Sequence, residues 1–212
     1  MFVSKRAGPG DGAPFADLDR AAALLSAGAV VAIPTDTVYG IAADPAHPGA
    51  LAALFALKGR PAGVDLPVLV SSVEQADALA GPAGLSDAAR RAAGEFWPGA
   101  LTVVVPRRAG LEWALGANTD TIGLRVPDNA LARALCARVG PLATTSANRH
   151  GAPPCIDAEA VTAVFGPDLV VVDGGRCDGA PSTVVSLVGD TPRCLREGAL
   201  SWDVVAAVLV DE

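Results

Sequence analysis

Residues 29–40 have the sequence AVVAIPTDTVYG, in which a short apolar run meets a proline and then a dense polar segment. The run at 29–34 is too short for a typical helix and predicts a buried strand. Two threonines, one aspartate and the only tyrosine of the chain follow within five residues. Ligands commonly bind beyond the carboxyl ends of strands in open α/β sheets. Residues 35–44 are therefore predicted to form a binding loop, although an ordinary turn with side-chain bonds explains the same composition.

The remainder of the chain alternates short apolar runs with amphipathic segments, which is typical of an α/β fold. Further strands are predicted at 66–71, 101–106, 121–126, 142–145, 169–173, 183–188 and 193–196. Helices are predicted at 17–27, 48–57, 73–80, 86–95, 128–138, 157–164 and 201–209. We expect a mixed twisted sheet with flanking helices in a single domain at 16–212. The Gly- and Pro-rich residues 1–15 are predicted to form a flexible N-terminal arm.

Composition excludes several classes of protein. With 51% hydrophobic residues the chain is not disordered, and its net charge of −7 argues against broad, nonspecific nucleic-acid binding. No apolar run approaches the ~20 residues of a membrane span, and no apolar stretch follows the basic pair near the N-terminus. We therefore expect a cytoplasmic protein without a membrane association. Its four cysteines and two histidines are too scattered to indicate a metal site or a disulfide framework.

The chain has 14 arginines and only two lysines, and Lys58 lies in the segment Lys58-Gly59-Arg60-Pro61 after a predicted helix. A lysine and an arginine around a glycine could hold a polyphosphate, because lysine acts as a mobile point charge and arginine as a bidentate fork. Cations at the end of a helix also complement its dipole, so the motif alone leaves both interpretations open.

Two other polar segments adjoin predicted strands: TTSAN at 144–148 and PSTVV at 181–185. Arg125 lies among apolar neighbours at the end of another strand, and such an arginine needs an anionic partner from the protein or from a ligand. The glycine motifs of P-loop and Rossmann proteins are absent, as is the G-x-S-x-G nucleophile motif. A nucleotide would have to be bound by another arrangement.

These segments, together with FWPGALTVVVP at 96–106 and LREGAL at 195–200, resemble in order and spacing the YrdC family of threonylcarbamoyl-AMP synthases. The resemblance covers about 18–200. It implies a single-domain L-threonylcarbamoyladenylate synthase, a nucleotidyltransferase that makes threonylcarbamoyl-AMP and pyrophosphate from L-threonine, bicarbonate and ATP. The product would serve the N6-threonylcarbamoyladenosine modification of tRNA, through a tRNA-modifying transfer complex and with tRNA itself as a further partner.

The resemblance also implies the roles of individual residues. Lys58 and Arg60 would be the catalytic pair that holds the ATP phosphates. The implied ATP-binding set is Lys58, Arg60, Thr121, Ser146, Asn148 and Arg196, and the implied threonine-binding set is Thr35, Thr37, Tyr39, Arg125, Thr144 and Ser182. Arg125 would pair with the threonine carboxylate. Mg²⁺ is expected with ATP, held largely by phosphates and water.

The sequence departs from the family pattern after KGRP. Val64 and Asp65 stand where many members have a polar or basic residue, and Leu69 stands where some have a histidine. A polar contact to ATP at position 64 is therefore lost or supplied elsewhere. Two alternatives remain at this point: a YrdC-fold RNA-binding protein without catalysis, and a paralogue that activates another amine. A carbamoyl-transfer protein of the hydrogenase-maturation type would need attached modules that this sequence lacks.

Overall fold

The computed structural model describes residues 13–59, 63–177 and 179–209. In chain order, the described elements are α1 (Ala13–Ser26), β1 (Val31–Ile33), β2 (Gly40–Ala43), α2 (Pro48–Lys58), β3 (Val68–Leu69), α3 (Val73–Asp77), α4 (Asp87–Phe96), β4 (Leu101–Pro106), β5 (Thr121–Arg125), α5 (Ala130–Val139), β6 (Leu142–Ser146), α6 (Ala158–Phe165), β7 (Val170–Val171), β8 (Thr183–Ser186), β9 (Arg193–Arg196) and α7 (Trp202–Leu209). Residues 1–12 of the predicted flexible arm lie outside the described part, and residues 13–15 form the first turn of α1 instead.

The nine strands form one mixed sheet in the order β7-β1-β2-β6-β3-β5-β4-β8-β9. The pairs β1–β7, β3–β5 and β4–β8 are parallel, and the other neighbours are antiparallel. This arrangement confirms the predicted α/β class with a mixed sheet and flanking helices. None of the described helices has both the length and the hydropathy that crossing a bilayer requires.

Strand β2 lies inside the segment predicted as a loop at 35–44, so that prediction was wrong for residues 40–43. The sequence GIAA has little intrinsic preference for a strand. Tertiary pairing overrides this preference, because β2 is bonded on one side to β1 and on the other to β6.

Helix α2 ends at Lys58, one of the residues to which the sequence assigns a function. Gly59 adopts a left-handed conformation with φ 63°, and its N–H closes the helix by donating to the carbonyls of Phe55 and Ala56. A glycine accepts this conformation without the steric cost of a Cβ atom. The end of α2 leaves Lys58 in the last turn, directed toward Ser146 at the end of β6.

The two faces of the sheet are covered differently. Alternate side chains of a strand point to opposite faces. On one face, Val103 and Leu124 belong to a core cluster that includes Val205 of α7. On the other face, α1 and α5 cover residues such as Leu69 and Leu142. This second face continues beyond the two helices, and there it forms a wall of a cavity.

Candidate active site

A cavity of about 840 Å³ opens on the second face of the sheet, over the part that α1 and α5 leave uncovered. Such a volume lies within the usual range for small-molecule sites. Arg125 follows Leu69 on this face because the two residues are paired in the β3–β5 register. Gly123 and Thr121 share the face by alternation along β5. Small and polar side chains thus replace the apolar core at this part of the sheet.

Eight of the residues assigned from the sequence line this cavity: Thr35, Thr37, Thr121, Arg125, Thr144, Ser146, Ser182 and Arg196. They come from segments that are far apart in the chain, and the sheet brings them together. The polar lining residues that were not assigned include Asp65, Thr102, Asn118, Thr145, Ser186 and Arg193. Thr102 carried a signal, because it is a polar residue that interrupts an apolar strand.

Arg125 is held by protein groups along three edges of its guanidinium. Its Nε donates to the Gly99 carbonyl at 2.8 Å, Nη1 to Thr37 Oγ1 at 3.0 Å, and Nη2 to Asp36 Oδ1 at 2.6 Å. Its side chain is 6% exposed. Burial lowers the pKa of Arg125, and the Asp36 carboxylate opposes this effect. The anionic partner that the sequence required is therefore supplied by the protein, although Arg125 still lines the cavity.

Thr35 and Thr37 form a compact hydrogen-bonded turn next to Arg125. Their Oγ1 atoms lie 2.9 Å apart, and Thr35 Oγ1 lies 2.6 Å from the carbonyl oxygen of Val38. The backbone N–H groups of Thr37 and Val38 also point at Thr35 Oγ1, at 3.1 and 3.2 Å. Both hydroxyls are buried, with 7% of Thr35 and 3% of Thr37 exposed.

Arg196 and Ser182 meet on the far side of the cavity. Arg196 donates to the Ser182 carbonyl through Nη2 at 2.7 Å and Nε at 3.2 Å, and to Ser182 Oγ at 3.2 Å. The Ser182 hydroxyl also lies 2.9 Å from Thr102 Oγ1. Burial, followed by repulsion from Arg125, lowers the pKa of Arg196. Both guanidinium groups line the same cavity, which favours an anion there.

Lys58 and Asn148 lie behind the cavity wall. Lys58 is 3% exposed, and its Nζ donates to the Ser146 carbonyl at 2.5 Å, to Ser146 Oγ at 3.1 Å and to Asn148 Oδ1. Ser146 Oγ donates to Asn148 Oδ1 at 2.6 Å. Lys58 therefore fixes the end of β6 and Asn148 just beyond it, and Ser146 is the member of this group that lines the cavity. Arg60, its predicted catalytic partner, lies outside the described residues.

Tyr39, which was assigned to the threonine pocket, is not among the residues that line the cavity. Its side chain is fully buried. Its hydroxyl donates to the Gly175 carbonyl at 2.8 Å and accepts from the Gly174 N–H at 3.1 Å. Burial raises the pKa of Tyr39 to about 12. Tyr39 thus ties the polar segment after β1 to the glycine-rich segment after β7.

The donor set of the cavity does not resemble a dedicated metal site. The described residues contain no cluster of three or more histidine, cysteine or acidic side chains that could hold a metal ion. Asp65 lines the cavity and is exposed, and its Oδ1 accepts from the Asn118 N–H at 3.1 Å. A single carboxylate beside many hydroxyls fits Mg²⁺ that arrives with phosphates and water, since Mg²⁺ in nucleotide sites takes one or two carboxylates.

Residues 23–198 match the Sua5/YciO/YrdC family model, which has the description "Telomere recombination". The match spans most of the chain. The chain belongs to the Sua5/YciO/YrdC family. This finding confirms the family resemblance on which the residue roles were based.

Relatives within the Sua5/YciO/YrdC family are similar over nearly all of the described region. A Mycobacterium tuberculosis protein is 42% identical over 187 residues, covering 87% of this chain and 85% of that protein. The threonylcarbamoyl-AMP synthase of Bacillus subtilis is 38% identical over 194 residues, covering 90% of this chain and 56% of that protein. The structure of Pyrococcus abyssi Sua5 complexed with L-threonine has a TM-score of 0.84 at 33% identity, covering 91% of this chain and 57% of that chain. This chain spans a little over half the length of the last two relatives.

Proposed function

We propose that this chain is an L-threonylcarbamoyladenylate synthase, a nucleotidyltransferase that forms threonylcarbamoyl-AMP and pyrophosphate from L-threonine, bicarbonate and ATP. The curated relatives with this name make the chain a member of a family of enzymes. The P. abyssi relative was solved with L-threonine, which supports the same amino acid as the substrate here.

One observation carries the proposal: Arg125 and Arg196 converge on a single cavity whose other polar walls are hydroxyl groups. Both substrates that must meet carry anionic groups, the carboxylate of threonine and the phosphates of ATP. Two cations, the buried Arg125 and the exposed Arg196, with neutral hydroxyl groups around them neutralise such ligands without supplying a competing nucleophile. No histidine or cysteine occurs among the described residues that line the cavity.

The reaction needs positioning more than covalent help. The threonine amine takes up carbon dioxide from bicarbonate to give a carbamate, with loss of water. A carbamate oxygen then attacks the α-phosphorus of ATP, and the bond to the leaving pyrophosphate breaks. Displacement at phosphorus is accelerated mainly by alignment and charge neutralisation. In our proposal, Arg125 binds the threonine carboxylate, and Arg196 with Ser146 and Thr121 faces the nucleotide.

Lys58 serves the phosphates indirectly in the conformation described here. Its ammonium group is buried under Ser146 and bonded to the segment that presents this serine. A direct phosphate contact would require the ammonium group to leave one of these partners. We propose that Mg²⁺ enters with ATP, where it would neutralise phosphate charge. Among the described residues, Asp65 is the carboxylate that lines the cavity.

The decisive experiment is to incubate the purified protein with ATP, L-threonine and bicarbonate and to follow two products. We expect mass spectrometry to detect threonylcarbamoyl-AMP. Pyrophosphate should be released only when the amino acid and bicarbonate are both present. Omitting each substrate in turn provides the control, and replacing threonine by serine or valine tests for a paralogue with another amine substrate.

Absence of pyrophosphate release, together with tight and salt-sensitive RNA binding, would contradict the proposal and favour the non-catalytic alternative. Transfer of the adenylate to tRNA, by a tRNA-modifying complex in the cytoplasm, is part of the proposal and is tested separately. Adding such a complex and tRNA to the same reaction should convert the adenylate into modified tRNA.

A further inference from the structure

Gly123 lies in the middle of the cavity floor. Along β5 it is preceded by Thr121 and followed by Arg125 on the same face of the sheet. Across the strands it is flanked by Val104 of β4 and by Pro67, which precedes β3. All five residues line the cavity. Because the four neighbours have side chains and Gly123 has none, the floor has a depression at this point.

A glycine inside a strand lowers stability, and it usually marks a bulge or bend, the close approach of another backbone, or the close approach of a ligand. The pairing of β4 with β5 is regular from Thr121 to Leu124, which excludes a bulge. The φ angle of Gly123 is not positive, so its conformation is open to other residues. A Cβ atom added to it would lie 3.5 Å from Thr102 Cγ2 and 3.7 Å from Pro67, which are ordinary contact distances. The approach of a ligand is the reason that remains.

Gly123 also separates the two polar ends of the cavity. In the proposed function, Arg125 binds the threonine carboxylate and Thr121 faces the nucleotide. Each of them lies two residues from Gly123, a distance of about 7 Å along a strand. The carbamate oxygen and the α-phosphorus of ATP must meet between the carboxylate and the nucleotide. Gly123 is the floor residue at that place.

From this geometry we propose that Gly123 is a steric determinant of the reaction, because its missing side chain gives the carbamate and the α-phosphate room to meet. There the carbamate oxygen forms its bond to phosphorus while the bond to the leaving pyrophosphate breaks. The inference rests on the proposed function, since it takes threonine and ATP as the occupants of the two ends. It goes further in placing the bond-forming groups over one residue and in giving a role to a residue without side-chain chemistry.

Gly123→Ala tests the inference by raising the floor by one methyl group. The new Cβ meets only ordinary contacts, so the Tm should be no lower than that of the unaltered protein. Each substrate alone can shift away from the methyl group, and titration calorimetry should give affinities for L-threonine and for ATP within about twofold of the unaltered values. The kcat of pyrophosphate release should fall by at least about tenfold, since a displacement of about 1 Å can lower a rate about 100-fold.

The joined molecule gives a second measurement. Threonylcarbamoyl-AMP occupies both ends at once and cannot shift away from Gly123, so Gly123→Ala should weaken its binding by about tenfold. Val188→Ile is the matched control, because Val188 lines the cavity from the segment after β8, two strands away from β5. It also adds one carbon atom to the lining, and its kcat and product affinity should stay within about twofold of the unaltered values.

An unchanged kcat in Gly123→Ala would overturn the inference. An equal loss of affinity for L-threonine, for ATP and for the joined product would do the same, because the methyl group would then block the whole cavity. A large fall in Tm would contradict the premise that the fold has room for a Cβ at this position.

The failure of the proposed function gives a different result. If the unaltered protein releases no pyrophosphate with threonine, bicarbonate and ATP, the proposed function and the role of Gly123 are both overturned. If the unaltered protein is active and Gly123→Ala keeps the same kcat, only the role of Gly123 is overturned.

Discussion

At the scale of single residues, the buried cations differ in what they are bonded to. Arg125 has a carboxylate partner in Asp36, whereas Lys58 donates to a carbonyl, a hydroxyl and an amide oxygen. A buried charge is tolerated when such groups replace its lost hydration. Arg125 thus keeps donors for the cavity, and the described bonds of Lys58 are directed to the protein. The two residues should respond differently to substitution.

Lys58→Met keeps the apolar stem and removes the ammonium group. The carbonyl of Ser146 and Oδ1 of Asn148 then lose a donor, so we expect a loss of about 1–3 kcal/mol in the free energy of unfolding. Pyrophosphate release should fall because Ser146 is no longer held. Urea denaturation and the pyrophosphate assay measure the two effects. Lys5→Met, at the only other lysine of the chain, is the control. Lost release with an unchanged unfolding midpoint would instead indicate a direct phosphate contact.

The single tyrosine allows its own ionisation to be followed. Burial raises the pKa of Tyr39 to about 12, compared with about 10 in an unfolded chain. Above pH 10 the unfolded state therefore loses its proton first, and the stability of the fold should fall between pH 10 and 12. Tyrosinate absorbance should rise near pH 12 in the folded protein and near pH 10 in urea. Tyr39→Phe should remove the part of the pH-dependent loss that comes from this group. A native midpoint near 10 would contradict the burial of the hydroxyl.

At the scale of secondary-structure elements, the turn between β9 and α7 is pressed against the start of β8. A Cβ atom added to Gly198 would lie 2.2 Å from the Pro181 carbonyl oxygen and 2.6 Å from the Ser182 carbonyl carbon. Thr183 Oγ1 accepts from the N–H groups of Gly198 and Leu200 and fixes the same turn. Close approach of two backbones, rather than an unusual dihedral angle, requires a glycine here.

Two glycine substitutions should therefore have opposite effects. Gly198→Ala should destabilise the fold by about 1–3 kcal/mol, because backbone atoms must move apart. It should also weaken threonine binding, since Ser182 lies at the contact. Gly94→Ala is the control: a Cβ there meets no atom within 4 Å, and α4 gains about 1 kcal/mol from the helix preference of alanine. Thermal unfolding of both variants measures the contrast, and equal stability of Gly198→Ala and the unaltered protein would refute it.

The sequence predicted some elements to the residue and missed others for a physical reason. Strands β4 and β9 begin and end where the hydrophobic pattern placed them. Strand β2 was missed because glycine and alanine carry no local strand signal, and only its pairing with β1 and β6 makes it a strand. The predicted strand at 66–71 shortens to β3, because only Val68 and Leu69 are in ladder register with both β5 and β6, while Pro67 and Val70 make one backbone bond each at the ends. Local propensity cannot report such partners.

At the scale of the whole molecule, the cavity exists only when the full sheet has formed. Its arginines lie on β5 and β9, and its hydroxyls come from the loop after β1, from β4, β5 and β6, and from β8 and the residue before it. The polar segments were visible in the sequence as interruptions of an apolar chain. Their convergence was not, because it depends on a strand order that mixes early and late segments. The same limit explains Tyr39, whose position in a polar motif suggested a pocket although its ring lies in the core.

Ligand binding should therefore stabilise the molecule as one unit. At 100 times its dissociation constant, a ligand that binds only the folded state adds about 2.7 kcal/mol to the free energy of unfolding. For a chain of this size, L-threonine should then raise the Tm by about 5–10 °C. Arg125→Lys keeps the charge but cannot bond Gly99, Thr37 and Asp36 together, so it should abolish most of the shift. Differential scanning fluorimetry with Gly94→Ala as the control tests this, and a full shift in Arg125→Lys would contradict the role of Arg125.

The two outer strands of the sheet have a consequence for the behaviour of the protein in solution. Strand β7 has two residues, and β9 has four, of which Arg193 and Arg196 are charged. A long, flat and apolar outer strand invites pairing with another chain, whereas short and charged outer strands discourage it. Because both outer strands are short and the net charge is −7, a strand of another molecule finds few backbone groups to pair with. We therefore expect the folded chain to resist sheet-to-sheet aggregation, and Arg196 contributes to this protection from the same strand that supplies its guanidinium to the cavity.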